Sequence, residues 1–187
     1  MITFIIPSIG RPTLQRALLS LQNQTDMEWR ALVIMDGVDI TNPVTDERIQ
    51  YMRVDKLGEL NHAGRVRNVG MEAEKERSSW FAFLDDDDTL TPDYVEKLRH
   101  AIQTHPEMEV FIFRMHFNES DVPPFNIDLN NIGVGQIGIS FAIKTSIFCE
   151  GFKFEPSHLE DFYLFDRMRS AGKKIHMLPH VCYLVRR

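Results

Sequence analysis

Four consecutive carboxylates, Asp85, Asp86, Asp87 and Asp88, follow directly on an apolar run, Trp80 to Leu84. Two such groups about 5 Å apart repel by roughly 3 kcal/mol at an effective dielectric near 20. A divalent cation reverses the sign of that cost. Hard oxygen ligands suit magnesium or manganese, usually shared with substrate phosphates. The plainer alternative is a solvated acidic turn. Two further groups of residues suggest chemistry. Arg65 and Arg67 begin a helical stretch, where cations and free backbone amides together favour a diphosphate; a structural pairing of one arginine with the aspartates is the competing reading. Glu160 and Asp161 open a late helix, where acids also stabilise the helix N-terminus.

These residues need elements to hold them. The run WFAFL is short, apolar and aromatic, so it reads as a strand buried on both faces. Thr91 and Pro92 suit the N-cap and first position of a helix that carries Val95, Leu98 and Ile102 on one side and stops before His105-Pro106. The acids therefore fall between a central strand and a helix, where open α/β sheets bind ligands. Upstream, Ile2–Ile6 predicts a first buried strand and Ser8, Gly10 and Pro12 a turn. A helix with Leu14, Ala17, Leu18 and Leu21 follows, then a strand over Trp29–Met35 ending at Asp36-Gly37. A short strand over Tyr51–Val54, a loop over Asn61–Gly64 and a helix over Val66–Arg77, with Val66, Val69 and Ala73 inward, complete the first half.

Downstream, Val110–Phe117 reads as a strand and Asn118–Asn131, rich in Asn, Asp and Pro, as a loop or lid. Gly133–Ile143 predicts a glycine-rich turn entering a strand. Ser157–Ala171 predicts a helix with Phe162, Phe165 and Met168 inward and Gly172 as its stop. Ile175–Leu184 closes as a strand. Alternation of strand and helix over the first hundred residues argues for an α/β fold with a mostly parallel sheet flanked by helices.

At 187 residues the chain has the size of one domain. A net charge of -6 gives no basic surplus to invite nucleic acid. Cys149 and Cys182 make neither a disulfide framework nor a metal knuckle, which suits a reduced, cytoplasmic setting. No signal-peptide pattern and no membrane-spanning run is present. Without secretion, the glycosylation triplet Asn118-Glu119-Ser120 has no consequence.

Five segments, in order, resemble the nucleotide-sugar-dependent glycosyltransferases of family 2, which have the GT-A fold, a Rossmann-like single domain. They are ITFIIPSIGRP, ALVIMDGVD, GRVRNVG, WFAFLDDDDTLTPDYVEKL and HLEDFYLFDRMRSAGKKI. The resemblance implies a single catalytic domain over 1–187, with a nucleotide-sugar half over 1–104 and an acceptor half over 105–187. It implies a metal-dependent transfer from a UDP-sugar, UDP-glucose first, to a glycan or other hydroxyl acceptor, with Mn2+ or Mg2+ as cofactor. Asp36 would meet the uracil imide, and Pro7 and Ser8 would line the base pocket. Met35 departs from the family, which often has a second acid there, so base recognition would differ. Asp87 would be the main metal ligand, with Asp85 or Asp86 on ribose or metal-bound water, and His180 a further metal or phosphate ligand. Arg65 and Arg67 would face the diphosphate, and Asn68 would be structural. Asp161, ahead of Glu160 and of His158, would be the general base of an inverting displacement. The acceptor would lie over Gly133–Gly138 and the Glu160-Asp161 helix.

Two other readings stand beside it. Strand-Asp85-x-Asp87-x-Thr89 also fits a haloacid dehalogenase-like phosphatase, although no later GDxxxD follows. A non-catalytic sugar-nucleotide-binding module is the other. An EF-hand fails, because Leu90 occupies its glycine position.

Overall fold

The computed structural model describes residues 1–41, 43–57 and 63–186. Along the chain run β1 (Ile2–Ser8), α1 (Leu14–Gln22), β2 (Trp29–Asp36), β3 (Ile49–Val54), α2 (Gly64–Glu74), β4 (Trp80–Phe83) and β5 (Thr89–Leu90). Then come α3 (Tyr94–Thr104), β6 (Val110–Phe117), β7 (Ser120–Val122), a 3-10 turn at Leu129–Asn131, β8 (Phe141–Lys144), α4 (Thr145–Cys149), α5 (Glu160–Ser170) and β9 (Ile175–Leu184).

The strands form one sheet in the order β3-β2-β1-β4-β8-β6-β9-β5, with β7 hydrogen-bonded to β6 at the side. β3, β2, β1 and β4 are mutually parallel. β8 is antiparallel to β4 and to β6, and β9 runs parallel to β6. Two reversals cancel, so β6 and β9 point the same way as β1 and β4. From β1 the chain moves outward through β2 and β3, then returns to place β4 on the other side of β1. That is a topological switch point, and the crevice outside the strand ends there is the expected place for a ligand.

The apolar strand runs account for this sheet. β1 is buried at every residue and β4 likewise, as expected for strands covered on both faces. Phe83 packs edge-on against Phe141 and Phe154, at centroid distances of 5.6 and 5.3 Å. In α1, Ala17, Leu18 and Leu21 are buried as the pattern requires, while Leu14 is half-buried.

Several boundaries differ from expectation. Thr91 is not an N-cap: α3 starts at Tyr94 after Asp93, and the Thr91 hydroxyl donates to the Asp93 carboxylate at 2.6 Å. On α2 the buried residues are Gly64, Val66, Arg67, Gly70, Met71 and Glu74, and Ala73 is exposed. The inward face turns because Gly70 lets the helix lie directly on β1 and β2. A Cβ there would fall 2.7 Å from Ile34 Cδ1 and 2.9 Å from Ile5 Cγ2. α5 begins at Glu160, and Leu164 takes the buried place expected of Phe162. The strands β5 and β7 and the helix α4 have no counterpart in the sequence pattern. Of the loop expected at Asn61–Gly64, positions 61 and 62 lie outside the described residues, and Gly64 already belongs to α2.

The segment 118–131 is tied down rather than loose. β6 and β7 form a hairpin whose turn residues Asn118 and Glu119 have positive φ, 48° and 62°. The buried Arg114 donates to the carbonyls of Leu178 (2.9 Å), Pro124 (3.4 Å) and Phe125 (3.2 Å). Arg169 on α5 donates to Leu129 O and Ile132 O.

Candidate active site

β1, β2, β4 and β9 all end at the same edge of the sheet. Ser8, Asp36, Asp85 to Asp88 and Tyr183 therefore meet there, and α2 and α5 bring Arg67, Glu160 and Asp161 from one side. The four aspartates divide by direction. Asp86 turns inward: its buried carboxylate accepts from Ser8 Oγ at 2.7 Å, from the Ile9 N–H at 3.3 Å and from Arg11 at 2.9 Å. Burial raises its pKa, against the pull of Ser8 and Arg11. Asp86 thus joins the end of β4 to the turn after β1 across the switch point. The ribose or metal-water contact was expected of Asp85 or Asp86, and the tie to β1 occupies Asp86.

Asp85, Asp87 and Asp88 offer oxygens that lie within 4.8 Å of one another. Asp88, buried, belongs to this group as well. Burial first, and the charge of Asp85 next, push its pKa up to about 6. The Arg186 N–H, 3.0 Å away, partly offsets this. Tyr183, fully buried, accepts the Asp85 N–H at 3.1 Å, so β9 fixes the start of the acidic turn. Arg16 donates to Asp87 O and to Arg186 O, which braces the turn from the other side. His180 is not brought to the cluster. It lines a separate groove of about 310 Å³ with Lys97, His100, His105 and His176, between α3 and β9. Burial, then the nearby Lys97, lower its pKa.

Arg67 is the hub of the other half. It is 3% exposed and donates to Asp85 Oδ1 at 2.5 Å and to Glu160 Oε1 at 2.6 Å, with Asp161 Oδ1 at 3.7 Å. Burial works against its charge, and Asp85, Asp161 and Glu160 outweigh it, so its pKa stays above the ordinary value. Arg67 is therefore committed to three carboxylates; the pairing reading of this residue is the one its geometry fits. Arg65, by contrast, is exposed on the first turn of α2 and has no hydrogen bond or ion pair to a described residue.

Glu160 and Asp161 are adjacent but unlike. Glu160 accepts from the Ala63 N–H, the Gly64 N–H and Arg67. It serves as a cap that α5 lends to the first turn of α2, which has no side-chain cap of its own. Gly64 is required for this: a Cβ would stand 2.5 Å from Glu160 Oε2 and 2.7 Å from Phe154 Cβ. Asn68 completes the join by exchanging hydrogen bonds with both backbone groups of Phe154. Asp161 keeps 27% of its side-chain surface, and its Oδ1 is buried without a hydrogen-bond partner. Its exposed surface therefore lies elsewhere on the carboxyl and stem. Burial raises its pKa to about 7; Arg67 pulls the other way, and Asp85 and Glu160 add to the rise.

At the end of β2, the buried Asp36 accepts from Lys56 at 3.0 Å and from the Leu57 N–H at 2.6 Å. Pro7 and Ser8 are buried at the end of β1. Beside them a cavity of about 260 Å³ opens between α1, Met35 and Tyr51, with Arg11 on its wall. The sequence did not single out Arg11, Arg16, Tyr183 or Arg114. Only Arg11 carried a signal, as part of the ITFIIPSIGRP segment; the others act through partners about seventy or more residues away, or through carbonyls.

This sheet, with its acidic turn at the switch point, has the GT-A glycosyltransferase fold. S. aureus TarS, residues 1–349, superposes with a TM-score of 0.75 at 17% identity, over 98% of this chain and 60% of that one. TarS has also been solved in complex with UDP and with UDP-GlcNAc. The family model for glycosyl transferase family 2 matches residues 3–187, and the chain belongs to that family. An uncharacterized glycosyltransferase of Haemophilus influenzae is 32% identical over 115 residues, 60% of this chain and 38% of its own length. The putative glycosyltransferase EpsH of Bacillus subtilis is 28% identical over 112 residues, 57% and 31% of the two chains. The chain thus aligns with under two-fifths of either relative. With family membership established, the dehalogenase-like phosphatase reading is not favoured. Among the described residues no helix is long and apolar enough to cross a membrane.

Proposed function

We propose that this domain transfers a sugar from a nucleoside-diphosphate sugar, a UDP-linked hexose, to a hydroxyl of a glycan or similar acceptor, with inversion. One observation carries the reading: Arg67 spans Asp85 on one side and Asp161 on the other, at 2.5 and 3.7 Å. An acidic cluster fit for a cation and a carboxyl fit for proton transfer thus stand one guanidinium apart. A donor diphosphate and an acceptor hydroxyl need that juxtaposition. The UDP-GlcNAc bound by TarS supports the choice of uridine donor.

Asp85, Asp87 and Asp88 suit a hard divalent cation, magnesium or manganese. The donor set is all oxygen, and without a positive partner Asp88 holds its proton up to about pH 6. When bound, the cation supplies charge neutralisation to the departing diphosphate. The chain's own groups do the rest. Asp36, at the end of β2, faces the uracil side. Arg65 offers an exposed charge at the first turn of α2, where the helix end also favours phosphate. Asp161 accepts the proton of the acceptor hydroxyl as its oxygen bonds to the anomeric carbon. The bond from that carbon to the phosphate oxygen breaks, and the electron pair leaves with UDP. A pKa of about 7 places Asp161 where a general base works well near neutral pH. Cys149 and Cys182, both unpaired, suit a reducing cytoplasmic location.

A donor-panel titration by calorimetry, with and without manganese, tests the reading. UDP and a UDP-hexose should bind in the presence of manganese, and Asp87→Ala should abolish that binding. Equal binding without metal, or none to any uridine nucleotide, would overturn it.

A further inference from the structure

The acidic turn carries a cation of its own. Arg11 lies in the turn between β1 and α1, and its Nη1 sits 2.9 Å from Asp86 Oδ1 and 3.1 Å from Asp87 Oδ2. The two acids differ in what else they have. Asp86 is 4% exposed at its side chain and already accepts from Ser8 Oγ and the Ile9 N–H. The Asp87 side chain is 33% exposed, and Arg11 is the one side-chain donor it has among the described residues. Asp87 also belongs to the trio whose oxygens converge within 4.8 Å. So the guanidinium covers one of the groups a divalent ion needs.

We propose that Arg11 is a resident counter-ion that a divalent cation must displace from Asp87, which makes it a positioning residue for metal loading. This rests on the donor reading above and adds a competitor to it. Three observations support displacement rather than permanent pairing. Arg11 is 40% exposed at its side chain, unlike Arg67. Its hydrogen bonds to the acids run through a single nitrogen, Nη1, so it lacks the two-pronged grip that makes arginine–carboxylate pairs rigid. It also borders the 260 Å³ cavity by Leu14, Met35 and Tyr51, which gives the side chain room to withdraw. Asp86 keeps two other donors when Arg11 leaves, so the turn retains its tie to β1.

The test is manganese titration of the folded, nucleotide-free protein, read by electron paramagnetic resonance of free Mn2+. Arg11→Gln removes the charge and should tighten Mn2+ binding roughly tenfold, since a cation within a few ångströms opposes the ion. Arg11→Lys keeps the charge and should stay near the unsubstituted protein. A second arm measures UDP binding at saturating Mn2+. Tighter Mn2+ in the glutamine variant with no UDP binding by either protein would support the counter-ion and overturn the donor reading. Unchanged or weaker Mn2+ with UDP still bound would overturn the counter-ion alone. A lysine variant that behaves like the glutamine one would show that charge is not the cause and overturn it too. Absence of Mn2+ binding by every form would overturn both.

Discussion

Two neighbouring acids at the start of α5 have different surroundings, and that separates what their loss should do. Glu160 is held by two backbone amides and Arg67. Glu160→Ala leaves those donors and a buried charge short of a partner, so we expect a stability loss of about 3 kcal/mol or more by denaturant titration. Asp161→Asn should leave the fold and UDP binding intact and lower kcat by about 100-fold or more. The same substitution has a pH signature. Asp161 titrates near 7 in the fold and near 3.8 when unfolded, so the native state holds the proton more tightly. Its contribution is complete below about pH 4 and fades as pH rises through 7. His176 and His180 have lowered pKa values, so they act oppositely, but only below their unfolded value of 6.5. Between pH 6.5 and 8 the slope therefore belongs mainly to Asp161. The metal-free protein should lose on the order of 1 kcal/mol there, and Asp161→Asn should flatten the curve. In the sequence these two acids were alike, since both sit in the first turn of one helix. Only the distant Ala63, Gly64 and Arg67 tell them apart. The division among Asp85 to Asp88 was hidden for the same reason: adjacent side chains leave a turn in different directions, and no spacing reveals which.

The elements were legible where their own residues decide them. β1, β2, β4, β6 and β9 are mostly apolar runs, and their limits fall within a few residues of expectation. β5, β7 and α4 are two to five residues long, and they form because β9, β6 and the end of β8 stand beside them. The inward face of α2 was misplaced because its buried Arg67 and Glu74 look like solvent residues; Glu74 stands 3.8 Å from Arg30. Where α2 meets α5, Gly64 leaves no space for a methyl group. Gly64→Ala should cost about 1–3 kcal/mol as the helices part, measurable as a lower melting temperature. The expected lid over 118–131 is tethered near both 124 and 132. Arg114→Met should strip three carbonyls of their donor and speed proteolysis within 122–128 several-fold. If cleavage stays as slow as before, Arg114 is not what holds the segment.

At the scale of the whole molecule, the first half was predictable as a run of parallel units, and the strand order was not. The insertion of β8 antiparallel between β4 and β6 depends on pairings such as Trp80 with Lys144 and Val110 with Ile143, far apart in the chain, which periodicity does not record. That insertion brings β9 home in the direction of β4, and so sets Tyr183 and Arg186 beside the acids. Because several elements converge on one edge, ligand binding there should stabilise the entire domain. UDP with Mn2+ at a hundredfold excess over Kd is expected to add about 2.7 kcal/mol. That corresponds to a melting shift of roughly 5–10 °C in a chain of this size. A shift absent at those concentrations would show that UDP with Mn2+ does not bind the folded domain.

The shared guanidinium of Arg67 also sets the terms on which parts of this domain can be exchanged. A hybrid that imports a new α5 must bring a match for Glu160 and import it together with Gly64, Arg67 and Asp85. Losing Asp85 or Glu160 leaves the buried Arg67 short of a partner, and a larger residue at Gly64 would push Glu160 away. Directed evolution of acceptor choice should therefore move through the rim around this quartet, with the quartet itself inherited as a block.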